Sequence, residues 1–486
     1  MLLSSYAFFA FFACVVVVHF LVPQRFRWIV LLAASAYFYY SFAPKFLLVI
    51  GGVILLTYGG ALLVERSHGG RRKLYFVSSV VLTCLILLAF KYLPFMNANL
   101  SHLARVLDLH YPTFVINIAL PIGLSFYIFQ SLSYLIEVYW GRQKAERHLG
   151  YYAVYIMFFL RLIAGPIERP GSFLPQLRAR KDFDWERILG GLKLMLWGLF
   201  KKLVIADRLG AIVANVYGHP HSYTGLSLVL ATVFFSIQIF CDFSGYSDIA
   251  IGGAQIMGYR LTTNFDRPYH SKSIAEFWRR WHISFSSWLR DYLYIPLGGN
   301  RVPKWRWAVN TMIVFLVCGI WHGAGWTFVI WGALQGIYLI FGRVTKRPRA
   351  AVVKFVRLDR LPRLYSLWAI LVTFALASFG WLFFRAGNLE TSKYIVRHLV
   401  SGWHFNAGYL SSTLHSMGIV HYDWYVIPIA ILFLEYVHHL HPTVEDERRL
   451  FDGRHVVVRW ASLYGLIVMI ILLGVFAKSS FIYAQF

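Results

Sequence analysis

The chain has 486 residues, of which 58% are hydrophobic and 18% aromatic, whereas only 14% are charged. Water-soluble domains carry about a quarter charged residues, so this composition excludes a soluble multidomain protein and indicates a polytopic membrane protein. The formal net charge is +25, but the basic residues lie between apolar runs and form no separate basic domain. That distribution is typical of membrane loops and headgroup contacts, and it argues against nucleic acid binding.

Apolar segments follow one another along the whole chain. They lie at about 5–22, 27–42, 44–64, 74–90, 114–138, 150–164, 188–206, 223–252, 308–342, 364–384, 424–438 and 457–477. Several are short or charged: Lys201 and Lys202, for example, interrupt 188–206, and such segments are tolerated at membrane depth only under protein cover. We therefore predict an all-α fold with about 10 to 12 transmembrane helices plus re-entrant and interfacial helices. Residues 1–486 are predicted to form one membrane-embedded domain, with its motif core at about 120–342.

The cysteines indicate no framework of disulfides or metal ligands. They are Cys14, Cys84, Cys241 and Cys318. All four lie in apolar surroundings and none forms a CxxC pair, so the sequence predicts neither disulfides nor a zinc site. The first apolar segment lacks a basic flank and a cleavage site, so we expect Met1–Phe20 to be retained as a span.

Basic clusters between the apolar segments predict which loops face the cytoplasm. The clusters lie at 66–73, 142–147 and 343–363, and Asp359 is the single acidic residue of the last. Because Lys and Arg are enriched in cytoplasmic loops, all three clusters are placed on that side of the membrane.

Residues 276–300, EFWRRWHISFSSWLRDYLYIPLGGN, mix charged and aromatic side chains in a way unlike the segments around them. Arginine is suited to phosphates through its planar fork of donors, and the segment is therefore a candidate site for an anionic group. The candidate binding residues are Arg279, Arg280, Trp281, Arg290 and Asp291, and His282 is a candidate for the chemistry. The alternative is an amphipathic helix at the membrane surface, with its aromatic rings at headgroup level.

His322 lies within WHGAGW at 321–326, inside a long apolar run. A histidine there is costly unless it is hydrogen-bonded or lines a cavity, which makes it a functional candidate. Gly323 and Gly325 permit a break in the helix and close backbone approach. Histidine is also easily tuned to act as a base near neutral pH. The alternative is a structural histidine bonded to a neighbouring carbonyl.

The basic residues on either side of His322 predict a helical hairpin. If Arg306 and Arg343 both face the cytoplasm, the chain between them must leave and return, with His322 near the turn. Sixteen residues at about 1.5 Å each place His322 up to ~24 Å from the cytoplasmic boundary. A histidine at that depth can be reached from both sides only through a tunnel.

Two further stretches, 163–169 and 240–252, are polar for their apolar setting. Asp242 and Asp248 in the second relay protons, line a polar path, or pair with nearby basic side chains. Three histidines lie at or just after the end of the 424–438 segment, before Pro442, and an interfacial role is favoured over a metal site. They are His438, His439 and His441.

These motifs together resemble the membrane-bound O-acyltransferase (MBOAT) family. FWRRWHISFSSWLRDYLYIPLGGN at 277–300 and WHGAGWTFVIWGALQG at 321–336 carry most of the resemblance. Further matching stretches are LPIGLSFYIFQSLSYLIEVY (120–139), IAGPIERP (163–170), FCDFSGYSDIAIG (240–252), NFDRPY (264–269), GWLFFRA (380–386) and FIYAQF (481–486). A single WHG is a weak signal, but the set in this order is specific and covers almost the whole chain.

The resemblance implies a ring of helices around a thin central region with a tunnel. His322 matches the family's principal catalytic histidine, and His282 matches its second motif histidine. The members that the chain resembles most are bacterial and O-acetylate exported polysaccharides such as alginate. The resemblance therefore implies a multi-pass protein of the bacterial inner membrane. Its donor would be cytoplasmic acetyl-CoA or a phosphopantetheine-bound thioester, and its partner a periplasmic or extracellular acetyltransferase.

Residue chemistry agrees with that implication. A neutral His322 can take the proton from an acceptor hydroxyl as the oxygen attacks a thioester. No nucleophile motif adjoins His322, so direct transfer is expected, with transient acylation of His322 as the alternative. Acetyl-CoA enters as a substrate, and no permanently bound cofactor or metal is predicted. Peptidoglycan and cellulose are alternative polymers. A polysaccharide transporter or scaffold is the non-enzymatic alternative, and the absence of inverted repeats counts against transport.

Overall fold

The computed structural model describes residues 1–109, 111, 119–404, 406, 408–420, 422–441, 455–476 and 482. Within these residues the regular structure is entirely helical, which confirms the all-α prediction. The start of the 114–138 segment, Pro442, and the FIYAQF motif apart from Ile482 lie outside the described residues.

The helices follow in chain order, several of them joined by π-helical or 3-10 turns. They are α1 Tyr6–Leu21, α2 Arg27–Tyr40, α3 Leu47–Arg66, α4 Gly69–Leu87, α5 Leu93–Val106, α6 Leu124–Tyr139, α7 Leu149–Met157, α8 Pro170–Arg178, α9 Trp185–Leu199, α10 Asp207–Gly218, α11 Leu226–Ile256, α12 Ile274–Arg280, α13 Ile283–Leu289, α14 Lys304–His322, α15 Trp326–Val344, α16 Lys346–Phe355, α17 Pro362–Arg385, α18 Leu389–His398, α19 Tyr409–Ser416, α20 Asp423–Leu440 and α21 Val456–Leu473. The chain divides into two compact units. The first comprises 1–192 and 249–262, and the second comprises 193–248 and 263–486. That residues 1–486 act as one membrane-embedded domain stays a prediction.

Six helical stretches in the described part of the chain are long and apolar enough to cross a membrane. They are Pro44–Arg66, Gly69–Val106, Leu226–Ile256, Trp326–Val344, Pro362–Arg385 and Val456–Leu473. The prediction of a multi-pass membrane protein is confirmed. A total of about 10 to 12 spans would require shorter or more polar helices, such as α1, to cross the membrane as well. That total stays a prediction.

In the first unit, α6 is the most deeply buried long helix, with nearly every residue from Leu124 to Leu135 inside. It starts after Gly123, whose φ of +76° and close approach to the Leu162 carbonyl leave no room for a side chain. At its other end, Phe76 of α4 stacks on Tyr139 with ring centroids 4.0 Å apart. Ring stacking and burial therefore position α6 along its whole length.

In the second unit, α14 and α15 form a helical hairpin with its turn at 323–325. Gly319 and Gly332 face each other across it, and a Cβ on either would collide with a carbonyl oxygen of the opposing helix. Small residues of this kind let membrane helices approach closely. The Arg343 guanidinium lies over the Trp307 ring, 4.2 Å from its centroid, so the open ends of the hairpin also meet. The predicted hairpin with His322 at its turn is confirmed.

The two lysines that interrupt the 188–206 segment are buried in a π-helical stretch, Phe200–Ala206, after α9. Lys202 Nζ lies 2.7 Å from the Asp207 carboxylate and 2.6 Å from that of Asp242. Lys201 forms an ion pair with Asp248. A buried charge is tolerated when it is paired, so the pairing interpretation of both aspartates in 240–252 is confirmed.

Candidate active site

His322 is the last residue of α14, and only 3% of its surface is exposed. Its Nδ1 lies 2.7 Å from the carbonyl oxygen of Cys318, one turn earlier. A carbonyl only accepts, so Nδ1 carries a proton and donates it, and the lone pair of the neutral ring is on Nε2. The carbonyl contact expected of a structural histidine is therefore present, and the same contact prepares Nε2 to act as a base. The C-terminal end of α14 also stabilises the positive charge that a base acquires.

Four aromatic rings surround His322. The ring centroids of Trp321 and Trp331 each lie 4.8 Å from the imidazole centroid, and those of Phe285 and Phe384 lie at 5.4 and 5.5 Å. These rings come from four different helices, α13, α14, α15 and α17. They hold the imidazole in one orientation and exclude water, which strengthens electrostatic interactions within the site.

The turn after His322 depends on space rather than on unusual backbone angles. Gly323 and Gly325 both have extended backbones, with φ of −160° and −164°, which any residue adopts. A Cβ at Gly323 would nevertheless collide with the Phe328 ring, whereas a Cβ at Gly325 would meet its nearest atom at 3.6 Å. Of the two glycines of the WHGAGW motif, Gly323 is therefore the one that the packing requires.

His282 lies between α12 and α13 and is fully buried, with a left-handed backbone at φ +44°. Residues other than glycine rarely adopt this conformation, and such strain is concentrated at functional sites. Its Nδ1 lies 3.0 Å from Oδ1 of Asn264. The same oxygen accepts hydrogen bonds from the backbone N–H and the hydroxyl of Ser284, at 3.3 and 2.9 Å. The Asn264 amide in turn donates to the Ser247 hydroxyl at 3.3 Å.

The two histidines share aromatic neighbours. Phe285 and Trp321, which pack on His322, also lie 5.0 and 6.2 Å from the His282 ring by centroid distance. His282 lies outside the six candidate spans, and its pKa is lowered well below the usual value by burial and, secondarily, by the nearby His322. His282 is therefore neutral near pH 7. A neutral imidazole whose Nδ1 donates to Asn264 presents Nε2 as a hydrogen-bond acceptor.

The 276–300 segment is not one helix. It consists of α12, α13 and a π-helical stretch at Arg290–Tyr294, and it breaks at Trp281 and His282. Its buried aromatic residues are Phe277, Trp278, Trp281, Phe285, Trp288 and Tyr292. The alternative of a surface helix with these rings at headgroup level is therefore wrong. Trp281, predicted to contact the donor, is fully buried against Phe277 at a centroid distance of 5.5 Å, so its ring supports the core.

The predicted donor-binding arginines lie on the more exposed side of the same segment. Arg279 and Arg290 are exposed and Arg280 is half-buried. Arg280 forms an ion pair with Glu276 at 2.8 Å, and Arg290 with Asp291 at 2.7 Å. The hydrogen bond that Arg290 donates to the Asp291 carboxylate raises the pKa of Arg290, so this guanidinium stays charged. That these residues bind a donor remains a prediction.

Sequence reasoning missed the side chains that hold the two histidines. Asn264 lies in NFDRPY and Phe384 in GWLFFRA, two stretches that the sequence singles out without giving them a chemical role. The one sequence signal that indicates a partner for His282 is the side-chain amide of Asn264, in a short polar motif 18 residues earlier. In the first unit, the IAGPIER stretch is likewise structural, because buried Glu168 accepts a hydrogen bond from the Thr262 backbone N–H.

Comparison with known proteins shows which family the central part of the chain matches. Residues 145–383, which include both histidines, match the sequence model of MBOAT, the membrane-bound O-acyltransferase family. The chain is 39% identical to the probable alginate O-acetylase AlgI of Azotobacter vinelandii, over 65% of this chain and 60% of that protein. It is 34% identical to the peptidoglycan O-acetyltransferase of Helicobacter pylori, over 67% and 64% of the two chains.

A more distant match is the teichoic acid D-alanyltransferase of Bacillus subtilis, 27% identical over 64% of this chain and 77% of that protein. The chain matches about 60% of the length of the alginate O-acetylases. Residues 145–383 thus carry the sequence of a membrane-bound O-acyltransferase domain, as the motifs of the chain predict.

Proposed function

We propose that the protein is a membrane O-acetyltransferase. In this proposal it takes the acetyl group from cytoplasmic acetyl-CoA and passes it across the bacterial inner membrane for O-acetylation of an exported polysaccharide such as alginate. The observation that carries the proposal is His322, a buried histidine at the turn of a helical hairpin whose Nδ1 donates to a backbone carbonyl. The match of residues 145–383 to an O-acyltransferase family supports the same reaction class.

The reaction follows from the position of the Nε2 lone pair. His322 Nε2 takes the proton of the acceptor hydroxyl while the oxygen attacks the thioester carbonyl, and the new C–O bond forms. The C–S bond then breaks, and the CoA thiolate leaves and accepts the proton from the imidazolium. The Cys318 carbonyl, held at 2.7 Å from Nδ1, stabilises the imidazolium between these two steps. A positioned base supplies about 10²–10⁴-fold, and orientation of thioester and hydroxyl supplies much of the remainder.

His282 complements this chemistry by positioning. It is neutral, fully buried and fixed by Asn264, and it shares two aromatic neighbours with His322. Its Nε2 accepts a hydrogen bond from one of the two substrates, acetyl-CoA or the acceptor hydroxyl, and this bond orients that substrate toward His322. Arg279, Arg280 and Arg290 then offer charge-assisted hydrogen bonds to the CoA phosphates.

The polymer is assigned from the relatives. Several matched proteins are alginate O-acetylases, which supports an exported polysaccharide as the final acceptor, reached through a periplasmic or extracellular partner acetyltransferase. Peptidoglycan is the second candidate, because a peptidoglycan O-acetyltransferase matches at 34% identity. Comparing ester-linked acetate on both polymers in cells with and without this gene separates the two. Loss from alginate alone supports the first candidate, and loss from peptidoglycan alone supports the second.

The enzymatic proposal is tested with the purified protein and acetyl-CoA labelled in the acetyl group. In detergent or in lipid nanodiscs, the protein should release CoA and transfer label to an added acceptor hydroxyl. A transporter or a scaffold leaves the thioester intact at the rate of a protein-free control. CoA release at that background rate, from folded protein with acceptor present, would contradict the proposal.

A further inference from the structure

A cluster of metal-ligating side chains lies in the second unit, outside the site described above. His270 ends the short 3-10 turn Pro268–His270, and Glu435 and His438 lie one turn apart near the end of α20. His270 Nε2 is 2.9 Å from one Glu435 carboxylate oxygen, and His438 Nδ1 is 3.8 Å from the other. One ligand atom from each residue lies within 4.8 Å of the other two.

These three side chains line a cavity of about 330 Å³, together with Arg267 and His439. The share of liquid volume taken by one water is about 30 Å³, so the cavity has room for an ion and several waters. His438 is buried, whereas His270 and Glu435 face the opening. An ion can therefore enter from one side and meet a buried imidazole at the other.

We propose that His270, Glu435 and His438 form a binding site for a divalent transition-metal ion of the Zn²⁺ class. Two imidazoles and one carboxylate are a ligand set that Zn²⁺ accepts, with water in its fourth position. Ca²⁺ and Mg²⁺ prefer shells of oxygen ligands, so this set selects against them. Ligand atoms about 2.1 Å from a tetrahedral ion lie about 3.4 Å apart, so the longest separation in the cluster, at most 4.8 Å, needs to shorten by up to about 1.4 Å for all three to bind one ion.

The charge around the cluster sets its affinity. The Arg267 guanidinium lines the same cavity and disfavours a cation. It donates to the His438 carbonyl at 3.3 Å and pairs with Asp266 at 3.4 Å, which offsets part of its charge. The site is therefore expected to bind Zn²⁺ more weakly than a closed four-ligand structural site.

The bound ion would tie the end of α20 to the turn that carries His270. Next to His270 in that turn, Tyr269 donates to the Ser236 carbonyl at 2.5 Å and packs 6.0 Å from Trp281 by centroid distance. The ion would thus stabilise the layer that supports Trp281. The two histidines and the glutamate are separated by up to 168 residues, which is why spacing along the chain gives no sign of the site.

The test is a Zn²⁺ titration of the full-length protein, purified without a polyhistidine tag and freed of metal with a chelator. We expect one Zn²⁺ per chain, a rise in melting temperature on binding, and no competition from excess Ca²⁺ or Mg²⁺. His270→Ala and Glu435→Gln should each weaken Zn²⁺ binding at least about tenfold, because even the loss of an outer-shell partner costs that much. His415→Ala removes an exposed histidine of α19 outside the cluster and should bind Zn²⁺ like the wild type.

Co²⁺ serves as a second probe, for the case that a variant is less stable than the wild type. Co²⁺ bound by the wild type should show the visible absorption of a tetrahedral site, and Glu435→Gln, which preserves side-chain shape, should lose it. Melting temperature without metal, and elution as a single species, show that each variant is folded. Wild-type Zn²⁺ affinity in folded His270→Ala or Glu435→Gln, or no Zn²⁺ bound by the wild type, would overturn the proposal.

Discussion

His322 and His282 are held by two regions that are built in opposite ways. His322 ends a long regular helix, and its Nδ1 partner is a carbonyl of that helix, four residues earlier. His282 lies in a break between two seven-residue helices and has a left-handed backbone. Its Nδ1 partner is the side chain of Asn264, 18 residues away. One imidazole is thus oriented by local structure and the other by long-range packing.

The difference matters because each arrangement suits a different task. A helix C-terminus with a carbonyl on Nδ1 stabilises a ring that becomes positively charged, as a general base must. Burial, which lowers its pKa, keeps His282 neutral, and a neutral ring held by Asn264 is suited to orienting a substrate. Substitutions in the two regions should therefore separate loss of chemistry from loss of orientation.

Replacing His322 should have the largest effect. His322→Ala is expected to lower O-acetylation of the exported polymer by about 10²–10⁴-fold, because it removes the base, while membrane insertion is unchanged. The measurement is ester-linked acetate on the polymer, with the amount of membrane-inserted protein determined in the same cells. His415→Ala, which removes an exposed histidine, is the matched control. Normal acetylation by His322→Ala would remove His322 from the mechanism.

Replacing His282 or its partner should have the next largest effect. His282→Ala and Asn264→Ala are each expected to lower the saturated rate by up to about 100-fold, since small misplacements of a reacting group have effects of that size. Because Asn264 acts through His282, the double variant should be no slower than His282→Ala. Fully additive losses in the double variant would show that Asn264 acts by another route. Ser247→Ala, which removes only the outer hydrogen bond, should be milder than Asn264→Ala.

Replacing Arg280 should change donor binding more than the chemical step. A charge-assisted hydrogen bond contributes about 1.5–3 kcal/mol, and Glu276 already shares the Arg280 guanidinium, so we expect the lower end, about a tenfold rise in KM for acetyl-CoA. Glu276→Gln breaks the same ion pair without removing the arginine and serves as control. If both variants lose thermal stability and neither changes KM, the arginine stabilises the fold and does not bind the donor.

The smallest effect is expected at the turn of the hairpin, and it is measured as a change in protein stability. Gly323→Ala places a methyl group against the Phe328 ring and should lower stability by about 1–3 kcal/mol. Gly325→Ala meets only ordinary contacts and should leave stability unchanged or slightly raised. Thermal unfolding of the two variants in the same detergent makes the comparison. Equal losses would show that the turn needs flexible glycines rather than space at residue 323.

The same two regions show what the sequence can predict. The α14–α15 hairpin and the position of His322 follow from local patterns, namely an apolar run between two arginines with a glycine-rich break in its middle. The 276–300 segment was open to two interpretations because its composition fits both a surface helix and a buried site. Burial of Trp281 and the contact between Asn264 and His282 depend on elements that meet only in the folded chain. The cluster of His270, Glu435 and His438 could not be predicted from the sequence for the same reason, because its residues meet only in the folded chain.

The assignment of His322 as the base is best tested by measuring donor binding and thioester cleavage together on purified His322→Ala. We expect this variant to bind acetyl-CoA with the affinity of the wild type but to release CoA about 10²–10⁴-fold more slowly when saturated, because only the base is missing. Wild-type CoA release by the saturated variant would contradict the assignment of His322 as the base. An unchanged saturated rate of CoA release together with weakened acetyl-CoA binding would show instead that His322 binds the donor.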